Sequence, residues 1–296
     1  MEYEKFKEEI RKELQGRLGA GTEIIFHNLE RNNGIKEEGL EVREKGRAAA
    51  PVLHLDELYK AYCGSGSMEE AANCGLRMLE RKPTVDAGAV PKTWAAARGR
   101  VRAELVHYGW NREGLEGIPH RKFLNLAVIY RMQLALSGSL RAGIRINNGL
   151  IQAWGATEED LYRAAMGNME KEGYRIQPLA ELLGRMAGIQ PGEMPELPEE
   201  MRQQYVLTNG ACHYGAAGML WGELMEGFAE QAGGNFYILP SSVHVLILLP
   251  DSFAICTDSL REMVKEVNES TVAREEWLSQ DVYYYDSGEK RVRIAP

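Results

Sequence analysis

Catalytic and ligand-holding signatures are what this sequence has least of. Its four cysteines, at 63, 74, 212 and 256, form no CxxC pair and show no zinc-ligand spacing. They read as small semi-buried thiols, reduced as in a cytoplasmic compartment, and no metal site is expected. The six histidines, at 27, 54, 107, 120, 213 and 244, contain no HExxH and no pair one helical turn apart. The glycine groups GRLGAG (16–21), GSGS (64–67) and GAAG (215–218) lack the Lys-Ser/Thr ending of a phosphate loop. They read as helix caps and linkers, and no cofactor is expected. No apolar run approaches the roughly 20 residues that span a bilayer. The opening MEYEKFKEEIRKEL is charged from its second residue, unlike a signal peptide. A formal charge of -8 and a pI near 5.5 argue against a phosphate-backbone surface, so neither nucleic acid nor membrane is an expected partner. A soluble, cytoplasmic protein is the expectation.

What is present is globular material: 296 residues, 44% hydrophobic and 26% charged, long enough for one large domain or two, with two favoured. Tyr3, Phe6, Ile10, Leu14 and Leu18 recur at helical spacing and predict an amphipathic opening helix, ended by Gly19-Ala20-Gly21. Short strands are expected at 23–29, 40–43 and 51–55, separated by the turns Asn32-Asn33-Gly34 and Glu44-Lys45-Gly46, as an antiparallel meander. Helices follow over 56–62 and from a Ser67/Glu70 capping box to about residue 81, closing an N-terminal α+β unit over 1–90.

A central region over 91–188, continuous with the first unit or separate, should hold a helix over 92–108 and an apolar strand over 123–136. Ser137-Gly138-Ser139 turns that strand into a second one running through Ile146, before a short helix to Trp154 and a longer one capped by Thr157 with Asp160. An internal echo links VLHLDELYKAYCGSGSMEE with IRINNGLIQAWGATEED, which reads as two related units. The stretch 189–200, with three prolines and four glutamates, is the clearest linker.

The C-terminal unit over 201–296 opens with a strand over 204–208 and a helix over 215–232, whose Ala217, Leu220, Trp221, Leu224 and Phe228 share a face. Strands over 235–239 and 243–249, joined by Pro240-Ser241-Ser242, form a hairpin. The second strand is apolar on both faces, so it should be central and covered on both sides. A helix from Thr257 and Asp258 should bury the stripe Leu260, Met263, Val264 and Val267, and DVYYYD is an aromatic strand. The fold class is α+β, with antiparallel or mixed sheets covered by helices.

The blocks YVLTN, GAAGML, GGNFYILPSSVHVLILLP, LREMVKEVN and EEWLSQDVYYYD, in that order, resemble the bacterial family catalogued as domain of unknown function 5688, found largely in gut Firmicutes. The resemblance extends upstream through WGATEEDLYRAA and IPHRKFLNLAVIYR to the meander. A looser likeness links the chain to the uncharacterised Bacillus YtpQ type. The resemblance implies a fold and a lineage, and no activity, substrate or cofactor. One departure is visible: where the family pattern is Ser-Ser-apolar-His-Glu, this chain has Ser241-Ser242-Val243-His244-Val245.

Ser241, Ser242, His244 and Asn209 are the candidate catalytic residues. A serine nucleophile needs an adjacent base and a third group to orient it, and Asp251 lies close in sequence. Against this, Asp251 sits past Pro250, no GxSxG elbow presents a serine, and Ser242 and His244 would stand about 6–7 Å apart on one strand face. Turn serines and a hydrogen-bonded core histidine are the favoured reading. His120-Arg121-Lys122, with Arg131, reads as a solvated strand edge, and the aromatics of 282–285 with Trp277 as sheet packing. The leading functional expectation is a non-enzymatic module binding a protein partner or a small ligand. The alternative is a hydrolase acting near Asn209, Ser241, Ser242 and His244.

Overall fold

A computed structural model describes residues 1–44, 50–81, 90–134, 142–189, 203–253 and 256–296. It divides into two compact units, Met1–Lys92 with Gln133–Gly143, and Thr93–Met132 with Ile144–Pro296. The fold is α+β, and among the described residues no helix is long and apolar enough to cross a membrane.

In the first unit, helix α1 (Tyr3–Leu18) buries Phe6, Ile10 and Leu14 completely, one residue per turn along a single stripe. The stripe packs against strands β1 (Thr22–Glu30), β2 (Lys36–Glu44) and β3 (Val52–His54), an antiparallel meander in that order. Helices α2 (Leu55–Ser65) and α3 (Met68–Arg81) complete the core through Leu55, Leu58, Ala71 and Ala72. Gly66 ends α2 in the left-handed conformation, and the Ser67 hydroxyl accepts from Glu70 N at 3.3 Å to open α3.

In the second unit, strand β4 (Val101–His107) and strand β5 (His120–Phe123) each pair antiparallel with strand β6 (Leu126–Leu134), which belongs to this unit as far as Met132 and is central in a four-stranded sheet. The helix expected over 92–108 is corrected here. Two short turns, α4 (Trp94–Ala97), which keeps the Ala-rich run helical, and Arg98–Arg100, give way to β4, where Val101–His107 pair with β6. Of the strand expected over 123–136, Phe123 ends β5 and Leu126–Leu134 form β6, the break falling where Leu124 takes a φ of 56°; 135–136 and the expected turn Ser137-Gly138-Ser139 lie outside the described residues. After another short turn, α5 (Arg112–Leu115), and strand β7 (Ala142–Arg145), come α6 (Asn148–Trp154) and α7 (Glu158–Asn168). Gly155 caps α6 in the left-handed region, and Thr157 with Asp160 forms the full reciprocal capping box. Both halves of the echo therefore share the order strand, helix, left-handed glycine, helix.

A six-stranded antiparallel sheet dominates the unit, in the order β13 (Arg291–Ile294), β12 (Tyr283–Asp286), β10 (Phe236–Pro240), β11 (Leu246–Pro250), β9 (Tyr205–Thr208), β8 (Arg175–Pro178). The hairpin β10–β11 is central, as its two-faced apolarity requires. Strands β8 and β13 have no counterpart in the sequence expectation. The pairing of β8 with β9 joins residues on both sides of the proline- and glutamate-rich stretch, which apart from Ile189 lies outside the described residues. The single helix expected over 215–232 is instead a 3₁₀ segment, Gly215–Leu220, and a helix, Gly222–Ala232, broken at an extended Trp221. A Cβ on Gly215 would lie 2.4 Å from Thr208 Oγ1 and 2.6 Å from the His244 carbonyl oxygen, so GAAG is a close-packing site.

Candidate functional site

Alternation along the central strands sets one face of the six-stranded sheet. Tyr237 and Leu239 of β10 pair with Leu249 and Ile247 of β11, and Ile247 pairs with Val206 of β9. Extending the same period places Ser241 and Gln204 on this face too. The helix Thr257–Thr271 crosses it, burying Leu260 and Val264 against Leu239, Leu249 and Tyr284. The four-residue stripe expected on this helix is only half buried, a correction to the sequence reading. Met263 is 48% and Val267 36% exposed, against 0% for Leu260. They flank a groove of about 380 Å³ that the helix leaves open beside Ile247 and Leu249. Leu179, the first residue of α8 (Leu179–Met186), closes another side, with Pro240, Ser241 and Gln204 completing the wall.

Beyond the hairpin turn lies a polar corner. Val243 to Val245, expected in the second strand, fall outside it because their backbone finds other partners: Val243 N donates to Glu276 O at 2.8 Å, and the Thr208 hydroxyl donates to His244 O at 3.0 Å. The strand begins at Leu246. Asn209 is buried and ties the adjacent loop, accepting from Ala211 N and His213 N at 3.1 Å each and donating to His213 O at 2.8 Å. These bonds hold Cys212 and Tyr214 at φ values of 50° and 53°, a conformation that is costly for residues with a Cβ.

The His213 and His244 rings stack at 4.9 Å, and the Arg131 guanidinium lies 5.2 Å from the Tyr214 ring centre. Desolvation, followed by the neighbouring His244 and Arg131, lowers the His213 pKa below its ordinary value. His244 Nδ1 accepts from Tyr214 N at 2.9 Å, and its Nε2 lies 3.5 Å from the Glu276 carboxylate. That acceptor role assigns the neutral ring's proton to Nε2, leaving no free lone pair to draw a proton from a serine. Ser242 Oγ accepts from the His244 backbone N at 3.1 Å, while Ser241 faces the groove. Ser242, His244 and Asn209 thus meet as parts of one braced corner, with Ser241 on its groove side.

Behind the corner, Glu172 and Arg102 form a pair at 3.2 Å that sequence reasoning missed, since nothing in the local pattern marks a buried carboxylate. Glu172 Oε1 and Arg102 Nε are buried without a hydrogen bond. Burial pushes the Glu172 carboxyl up to about 7, against the opposing pull of Arg102. Glu104, 3% exposed, pairs with Arg131 at 2.5 Å as its diagonal cross-strand neighbour. Among the described residues no group of three or more His, Cys, Asp and Glu could hold a metal ion.

The family described as a family of unknown function (DUF5688) matches residues 3–287. No curated protein and no solved structure matches the chain.

Proposed function

The chain belongs to the DUF5688 family of unknown function, and we propose that it is a non-enzymatic module of the bacterial cytoplasm that binds a small apolar ligand in the groove between the β10–β11 hairpin and the Thr257–Thr271 helix. One observation carries this reading. The groove, about 380 Å³, is lined among the described residues by uncharged side chains alone. Its volume falls in the range of about 300–1,000 Å³ typical of small-molecule sites, which are mostly apolar with a few placed polar groups. Met263 and Val267 stand in water at its edge, and covering apolar surface is favourable by about 25 cal/mol per Å². The four free cysteines, three of them exposed, fit a reducing compartment.

A hydrolase acting through Ser241, Ser242 and His244 draws less support, because the imidazole's acceptor nitrogen is occupied by Tyr214 N and Ser242 Oγ accepts from the His244 backbone N. The binding reading is tested by thermal melts followed by circular dichroism, with and without the neutral apolar dye N-phenyl-1-naphthylamine. A ligand of the native state at about 100 times its Kd stabilises by about 2.7 kcal/mol, so the midpoint rises. An unchanged midpoint at saturating dye contradicts the reading.

A further inference from the structure

The groove's two hydrogen-bonding side chains stand at opposite ends of it. Gln204 precedes Tyr205, which pairs with Leu248, so it lies level with Leu249. Ser241 follows Pro240, which pairs with Leu246, so it lies level with Val245. Four residues at about 3.3 Å separate their backbone positions along the strand direction, and two strand spacings of about 4.8 Å separate them across, giving about 16 Å between the two backbone positions. Between them the wall is Leu239, Ile247, Leu249, Val264 and Val267. Among the described residues no hydrogen bond engages either terminal side chain.

From this placement we propose that the groove selects an elongated, uncharged apolar molecule with a hydrogen-bonding group at each end, of the α,ω-alkanediol type. The inference rests on the binding reading above and names its ligand class. A carboxylate or ammonium at either end would find no counter-charge in the lining and would lose hydration without compensation. A neutral hydroxyl finds Ser241 Oγ at one end and the Gln204 amide at the other, both able to donate and accept. Extended chains advance about 3.6 Å per three bonds, so about 13 bonds cover the span, which is the oxygen-to-oxygen length of 1,12-dodecanediol.

Competition against N-phenyl-1-naphthylamine fluorescence tests this on the full chain with three displacers: 1,12-dodecanediol, 1-dodecanol and dodecanedioate at pH 8. The diol should displace the dye at a concentration at least tenfold below that of the mono-alcohol, with the dianion weakest. Ser241→Ala and Gln204→Leu should each bring the diol to the level of the mono-alcohol, both displacers being read on the same variant, and a cooperative melt by circular dichroism certifies that each variant is folded. A mono-alcohol as effective as the diol, a dianion more effective than either, or a diol preference that survives both substitutions would overturn the ligand class while dye binding upheld the groove. Failure of the dye itself to bind the native chain would overturn both.

Discussion

Glu172→Gln separates the cost of a buried carboxylate from everything else in the fold. Glu172 Oε1 sits 3.2 Å from Arg102 Nε without a hydrogen bond, and burial raises the carboxyl from an ordinary 4.5 to about 7 against the opposing pull of Arg102 and of a hydrogen bond with Tyr174. A folded-state pKa above the unfolded value means that the native chain holds this proton more tightly. The stabilising contribution is therefore complete below about pH 4.5 and is lost as pH rises through about 7. At about 1.36 kcal/mol per unit, a rise of about 2.5 units amounts to roughly 3 kcal/mol. Glutamine keeps the shape and cannot ionise. Urea unfolding at half-unit steps from pH 4.5 to 8.5 should show wild type losing roughly 3 kcal/mol relative to Glu172→Gln, with the difference flattening above about pH 7.5. A difference constant across that range, or one that grew in favour of wild type with rising pH, would refute the assignment of a desolvated carboxylate.

Three further outcomes are expected. His213, with its folded pKa lowered, adds stability that is present above the ordinary value of 6.5 and lost as pH falls; its ring signals in NMR should titrate below 6.5, and a midpoint at or above 6.5 contradicts the stacked, desolvated placement. Gly215→Ala forces a Cβ to within 2.6 Å of the His244 carbonyl and should destabilise by about 1–3 kcal/mol in urea, whereas Gly227→Ala, with open space around its Cβ, should be neutral or stabilise by about 0.5–1 kcal/mol. Met263→Glu and Val267→Glu change exposed positions on an intact helix face, so they should leave the melting midpoint within a few degrees while lowering N-phenyl-1-naphthylamine affinity at least tenfold.

Sequence legibility followed the reach of the interaction that decides each element. The α1 stripe, the meander, the Thr157–Asp160 box and the central hairpin rest on neighbours within a turn or a pleat, and their periods were readable. Strand β4 was not, because Val101–His107 follow helical turns at the Ala-rich run and Gly99 and settle into a strand only through pairing with β6, about 25 residues away. The glycines of GAAG declared no helix break, since their role is the close approach of Thr208, His244 and Tyr174, which only the folded chain supplies. At the candidate site, Ser241 was named for chemistry and stands on the wall of the groove. Met263 and Val267 were read as buried because helical period marks a face, and the width of that face exceeds what the sheet below it covers.

The central claim is that the opening beside Ile247, Leu249 and Val264 is a ligand site. Methyl-labelled NMR during titration with N-phenyl-1-naphthylamine tests it most directly, because it locates the ligand as well as detecting it. Saturable shifts concentrated on Leu239, Ile247, Leu249, Val264 and Val267, with Leu53 and Leu58 of the first unit unmoved, are the predicted result. Shifts spread evenly over the chain, or centred away from these five residues, would contradict it.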